Sequence, residues 1–331
     1  MPKSLDVVAI GNAIVDVIAR VDDGFVAANG VERGAMTLID AERGEALYAA
    51  MPPGIEVSGG SAGNTAAGLA ALGSRAGYIG KVRDDVLGNV FRHDITAQGV
   101  RFETAPALDG PPTARCLVLV TPDAQRSMNT YLGACVNLTP DDVRPAMIAD
   151  AEVVYLEGYL WDPPQAKEAF LKAARIAHES GGKVALSLSD PFCVGRHRKE
   201  FQELVRRHVD ILFANEQEIV SLFEVESFDE AMQAVRFEVE TAALTRSERG
   251  SVVVHRDAVH ILDAEPAVRV IDTTGAGDLY AAGFLHGYTR GLDAATCGRV
   301  GGICAAEIIS HVGARPEADP KALMAERLGR G

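Results

Sequence analysis

Paired cysteines, a basic excess, long apolar runs and repeated segments are all missing from this sequence, and each gap excludes a class of function. The five cysteines, Cys116, Cys135, Cys193, Cys297 and Cys304, are odd in number, widely spaced and contain no C-x-x-C pair. Neither a disulfide framework nor a structural zinc site is therefore expected. The same residues are expected as small buried side chains in a reducing compartment. Lys and Arg total 32 against 46 Asp and Glu, a net charge of -14. A nucleic-acid binder needs a basic footprint to displace counterions, so nucleic acid is not expected as a partner. No apolar run is long enough to span a bilayer, and Met1 to Asp6 shows no basic segment leading into an apolar one. The expectation is a cytoplasmic protein without a membrane partner, as a monomer or homodimer.

What is present is the raw material of a large core: 47% of the 331 residues are hydrophobic and 24% charged. Short apolar runs at 7–10, 76–80, 153–156, 184–188, 211–214 and 252–254 read as buried strands. Amphipathic stretches at 164–180, 201–208 and 216–223 read as helices between them. That alternation predicts a largely parallel sheet covered by helices on both faces. The first 135 residues are richer in β pattern, with a hairpin at 115–120 and 125–132. The chain is expected to form one domain over 1–331.

One stretch carries chemistry. Asp272-Thr273-Thr274-Gly275-Ala276-Gly277-Asp278 is expected to follow a strand at Val268–Ile271 and to open an apolar helix reaching Tyr288. Glycines in a strand-to-helix turn let backbone N–H groups converge on one point, and the helix dipole favours an anion there. A phosphoryl group in transfer spreads charge over its oxygens, so such a pocket stabilises its transition state. Asp278 in the first helical turn could take a proton from an attacking hydroxyl, or it could simply cap the helix.

Residues 272–285 resemble the C-terminal signature of the PfkB (ribokinase-like) family. Gly59-Gly60-Ser61-Ala62-Gly63-Asn64, with Gly73 and Gly80, resembles its N-terminal signature, and Asn215-Glu216-Gln217-Glu218 is similar to its N-x-x-E motif. The resemblance implies a ribokinase-like α/β fold: a Rossmann-like, mostly parallel sheet with a small β-sheet lid formed by excursions at about 13–57 and 103–133. It implies an ATP-dependent kinase using Mg²⁺, with Asp278 as base and Gly275, Ala276 and Gly277 as the anion pocket. Asn215, Glu218, Thr245, Ser247 and Gly250 would serve ATP and Mg²⁺, with Ser247 standing where many relatives carry glycine. Asp272 and Thr274 match places where relatives often hold K⁺.

For the acceptor, the resemblance points to Asn12, Asp16, Gly59, Gly60 and Asn64 on the sugar. Arg126 is read as pairing with Asp16 on closure or as a surface residue. Met36, Leu38, Leu132 and Tyr159 are candidates for an apolar base slot. Several stretches, among them Gly11-Asn12 with Asp16 and Val209–Glu218, resemble the adenosine-kinase branch. The leading expectation is transfer to the 5′-hydroxyl of an adenosine-like nucleoside. The alternatives are a kinase for a free sugar (ribose, fructose or 2-keto-3-deoxygluconate type) and a non-catalytic sugar or nucleoside sensor.

Overall fold

A computed structural model of the protein describes residues 3–123 and 125–329; Ala124, in the hairpin connection, and residues 1, 2, 330 and 331 lie outside the described residues. The strands are β1 (Leu5–Ile10), β2 (Ile14–Arg20), β3 (Met36–Leu38), β4 (Ile55–Gly59), β5 (Ala76–Ile79), β6 (Arg101–Phe102) and β7 (Ala114–Val120). They continue with β8 (Arg126–Tyr131), β9 (Ala151–Glu157), β10 (Lys183–Ser187), β11 (Ile211–Asn215), β12 (Thr241–Thr245), β13 (Ser251–His255) and β14 (Ala258–Leu262). Nine of them form one sheet in the order β14-β13-β12-β11-β10-β9-β1-β5-β6. From β12 to β6 every pairing is parallel, while β13 and β14 add as antiparallel strands.

The apolar runs at the centre have no polar face because both faces are covered. Val8, Ile10, Val154, Leu156, Leu186 and Leu212 point to one layer, against Phe170 of helix Pro164–Glu179 and Phe201 of helix Pro191–His208. Their neighbours Val7, Ala9, Val153, Tyr155, Ala185 and Phe213 point to the other, against Leu69, Leu279 and Phe284. In that second layer, helix Ser61–Ala71 lies on helix Ala276–Tyr288. Its small side chains set the closeness of the contact: a Cβ on Gly68 would lie 2.6 Å from Leu279 Cδ1 and 2.9 Å from Ala282 Cβ. The start of one helix is thereby brought to the start of the other.

The remaining strands form a second sheet in the order β3-β8-β7-β2-β4. Here the alternation is period two: Val15, Val17, Leu117 and Leu119 join the core, while Ile14, Ile18, Cys116 and Val118 cluster on the opposite face, which Asp16 shares. All five cysteines are buried. No helix among the described residues is long and apolar enough to cross a membrane.

Several elements depart from the sequence reading. Val268–Ile271 is not a strand. The chain leaves the sheet after β14, and Val268 and Val270 stand 89% and 67% exposed. An apolar run without a sheet edge beside it has nothing to pair with, and among the described residues its backbone N–H groups are anchored at Ile271 alone, to Ile309 O at 2.8 Å. The helix expected at 201–208 is preceded by a further helical stretch from Pro191, where Asp190 caps the N–H groups of Phe192 and Cys193, and non-helical backbone at His197 separates the two. The segment 24–57 also holds a helix at Ala41–Ala50, capped by Asp40.

Candidate active site

Helix Ala276–Tyr288 starts from Gly275, whose φ of +79° lies in the left-handed region, and a Cβ there would sit 2.9 Å from Ala314 Cβ. Asp278 follows in the first turn. Its Oδ1 accepts from Ser61 Oγ at 2.6 Å and its Oδ2 from Asn64 Nδ2 at 2.9 Å. Both donors belong to the first turn of helix Ser61–Ala71, so the contact at Gly68 is what delivers them. Burial raises the Asp278 carboxyl above its ordinary range, while Ser61, Asn64 and the nearby Arg315 pull it back. A Cβ on Gly277 would meet nothing within 4 Å, so the first turn of this helix faces open space at that position.

Asp16 enters this neighbourhood from β2. Burial raises its carboxyl to about 6, against the pull of Arg315 and Arg126 and with the Asp278 charge adding to the rise. Gly59 passes so close that a Cβ would lie 2.4 Å from Asp16 Oδ2, and one on Gly60 would lie 2.1 Å from Asn12 O. The Asn12 side chain is turned inward, donating to Glu157 Oε1 at 2.8 Å, with its Oδ1 buried and unpartnered among the described residues. Asn64 is committed on both sides: its amide N–H₂ donates to Asp278 and its Oδ1 accepts from Arg315.

Arg126 neither pairs with Asp16 nor decorates a surface. It reaches from β8 to Asp272, Nη1 to Oδ2 at 2.9 Å, with both side chains under 8% exposed. Asp272 also accepts from Thr274 N at 3.1 Å and Gly313 N at 3.1 Å. A monovalent cation on that carboxylate would have to share it with a guanidinium, so Asp272 as arranged is a partner for Arg126 and does not fit a K⁺ ligand. Asn215 and Glu218 form a reciprocal helix cap: Asn215 Oδ1 accepts from Glu218 N at 2.9 Å, and Glu218 accepts from Asn215 N at 2.9 Å and Nδ2 at 2.6 Å. Burial pushes the Glu218 carboxyl up to about 7.

Thr245, Ser247 and Gly250 mark the β12–β13 turn, where Ser247 adopts φ +53° as a glycine would. Asn215, Thr245 and Ser247 line one cleft of about 800 Å³, with Arg246 stacked 4.1 Å over Phe228. Of the apolar candidates, Met36 and Leu38 are exposed on β3 and Leu132 is half-buried. Tyr159 lies in the turn Gly158–Trp161 and is 39% exposed; desolvation of its hydroxyl and the charges of Asp190, Asp278, Glu218 and Glu157 raise its pKa.

Two residues here were not singled out from the sequence. Glu157 ends β9 as a fully buried carboxylate, accepting from Asn12 N at 3.2 Å, Asn12 Nδ2 at 2.8 Å and Ala62 N at 2.7 Å. A charged residue closing an apolar strand was the available signal. Arg315 comes from the loop after helix Ala294–Ile308, 251 residues from its partner Asn64, and no local pattern marks it.

Residues 52–322 match the model of the pfkB family carbohydrate kinase. The chain is 29% identical over 329 residues to an adenosine kinase of Saccharomyces cerevisiae, covering 92% of this chain and 95% of that one. Its fold superimposes on a probable sugar kinase from Rhizobium etli with a TM-score of 0.91, 50% identity and 99% coverage of both chains. It superimposes on an adenosine kinase from Sinorhizobium meliloti with a TM-score of 0.89 and 54% identity, over 98% of this chain and 99% of that one. A match of this extent, on a sheet and signature loops arranged as above, makes the chain a member of the pfkB family of carbohydrate kinases, phosphotransferases with an alcohol acceptor.

Proposed function

We propose that the protein transfers the γ-phosphoryl group of Mg-ATP to the 5′-hydroxyl of an adenosine-like nucleoside. The observation that carries this reading is the half-buried Asp278 carboxylate in the first turn of a helix, beside the open side of Gly277 and within the electrostatic reach of Asp16. In this reading the acceptor oxygen attacks the γ-phosphorus as the bond to the β-phosphate oxygen breaks, ADP leaves, and Asp278 takes the hydroxyl proton. Gly275, Ala276 and Gly277 stabilise the charge on the transferring group. Asp16 accepts from the ribose diol, a task that suits a carboxylate with lone pairs to spare. Asn12 closes the far side of the ribose through its unpartnered Oδ1, while Gly59 and Gly60 carry the backbone past it.

Mg²⁺ enters with the nucleotide. Asn215, Glu218, Thr245, Ser247 and Gly250 border the nucleotide side, and Tyr159, Met36 and Leu132 the base. The second sheet acts as the lid that excludes water from the reaction, and Arg126 is its bolt. Sugar phosphorylation is the second reading, because structures of nearly equal likeness carry the names sugar kinase and adenosine kinase. An ATP-consumption assay over adenosine, inosine, guanosine, cytidine, ribose, fructose and 2-keto-3-deoxygluconate, with and without K⁺, decides between them. Preference for adenosine by tenfold or more in kcat/KM is expected, and preference for a free sugar would overturn the nucleoside assignment.

A further inference from the structure

Arg315 is the least expected group near Asp278. Its Nη1 donates to Asn64 Oδ1 and to Ala314 O at 3.2 Å, and its Nη2 donates to Ser58 O and to Ser58 Oγ at 3.0 Å. Ser58 Oγ in turn donates to Asp94 Oδ2 at 2.5 Å. The loop that presents Arg315 is fixed by Glu307, which accepts from Glu317 N and Ala318 N at 2.9 Å each. No salt bridge joins Arg315 to a carboxylate among the described residues. Its partners are an amide, a hydroxyl and carbonyls.

That choice of partners has a consequence for Asn64. A guanidinium only donates, so the Asn64 oxygen must face Arg315 and its N–H₂ must face Asp278. With the amide turned over, an oxygen would oppose the Asp278 carboxylate and an N–H₂ would oppose the guanidinium. A proton on Asp278 would then be the only relief. We propose that Arg315 is a positioning residue for phosphoryl transfer, locking the Asn64 amide in the orientation that keeps Asp278 a free carboxylate aimed at the acceptor. This rests on Asp278 being the base.

The electrostatic surroundings agree. Asp278 is faced by Asp16 of β2, Tyr155 and Glu157 of β9, and Tyr159 of the following turn. Arg315 is faced by Asp16, Asp278, Asp94 of helix Val86–Ala97 and Tyr78 of β5, and Arg126 faces Asp16. Among these groups Arg315 is the cation that lowers Asp278 directly, opposing the burial that raises it.

The test is a pH–rate profile of Arg315→Gln and Arg315→Lys beside the wild type, with the carboxyl ¹³C titration of Asp278 followed by NMR and assigned by its loss in Asp278→Asn. Removing an opposite charge that lowers a carboxyl pKa typically raises it by about one unit or more. Arg315→Gln is therefore expected to move both the acidic limb of kcat/KM and the NMR titration upward by at least about one pH unit. Arg315→Lys, which keeps both the charge and a group that can only donate to the Asn64 oxygen, is expected to leave the titration and kcat nearer the wild type than Arg315→Gln does. An unmoved limb and titration in Arg315→Gln would overturn the proposal. So would additive losses in kcat for Arg315→Gln and Asn64→Ala, since a residue acting through Asn64 loses its effect once Asn64 is gone. Because the titration needs no turnover, it judges Arg315 even if the wild type phosphorylates none of the acceptors, an outcome that would instead remove the role given to Asp278.

Discussion

A buried carboxylate is useful to a kinase only if it stays ionised, and the two central aspartates here are held differently. Asp278 is gripped by two donors and a nearby cation, whereas no described residue donates a hydrogen bond to Asp16, whose carboxyl burial raises to about 6. Replacing Asp278 by Ala is expected to lower kcat by about 10²–10⁴-fold with nucleotide affinity little changed, as single-turnover and binding measurements would show. Activity within a few-fold of wild type would exclude it as base. Asp16 is expected to act on KM instead. Its folded pKa is raised, so the charged form that accepts from a diol is lost as pH falls through about 6. The acceptor KM, and not the ATP KM, should rise across that fall. Asp16→Asn should show a high acceptor KM that no longer depends on pH. An equal effect on both substrates would detach Asp16 from the acceptor.

At the scale of elements, the site is a meeting of ends: the β1–β2 turn, the end of β9 and the first turns of helices Ser61–Ala71 and Ala276–Tyr288. Glu157 ties the first three together, holding Asn12 twice and the N–H of Ala62 once. It makes no salt bridge among the described residues, and burial raises its carboxyl to about 7. A folded pKa above the unfolded one means that the folded state holds the proton longer, so stability falls as pH rises from about 4.5 through about 7. The loss from this one group is on the order of 3 kcal/mol. Urea unfolding of wild type and Glu157→Gln should show the wild type losing ground to the variant from about pH 5 to about pH 8. A gap independent of pH would mean that Glu157 does not titrate there. The elements themselves were largely legible, because apolar runs that are buried on both faces and small residues at a close helix crossing write their packing locally. Asp278 was legible for the same reason, sitting within a seven-residue turn. Glu157 and Arg315 were not, since their roles come from partners 145 and 251 positions away. Val268–Ile271 misled because hydrophobicity records a preference for burial, not the presence of a neighbouring strand.

Across the whole molecule, a buried charge pair ties the second sheet to the loop that leads into helix Ala276–Tyr288. Arg126 of β8 meets Asp272 ahead of the Gly275–Gly277 turn, both nearly out of solvent, and its Nε and Nη2 find no partner among the described residues. Two backbone N–H groups already hold Asp272 in place, so the pair fixes the position of the second sheet more than that of the loop. Removing one member of a buried pair strands the other charge, which typically costs about 3–5 kcal/mol, while removing both often costs far less. Arg126→Gln is therefore expected to destabilise the protein by about that amount. Arg126→Gln combined with Asp272→Asn should recover most of the loss, giving a coupling energy above about 1.5 kcal/mol in a double-mutant cycle. The orphan donors of Arg126 add a functional arm, because a guanidinium with free N–H groups beside the anion loop is suited to a phosphoryl oxygen. Arg126→Lys, which keeps the charge and loses the fork, should then retain most of the stability while kcat falls by about tenfold or more. Loss of stability without loss of kcat in that variant would make Arg126 a fastener between the second sheet and this loop and nothing else. Loss of neither, with additive single variants, would show that the placement of the second sheet does not depend on this pair in solution.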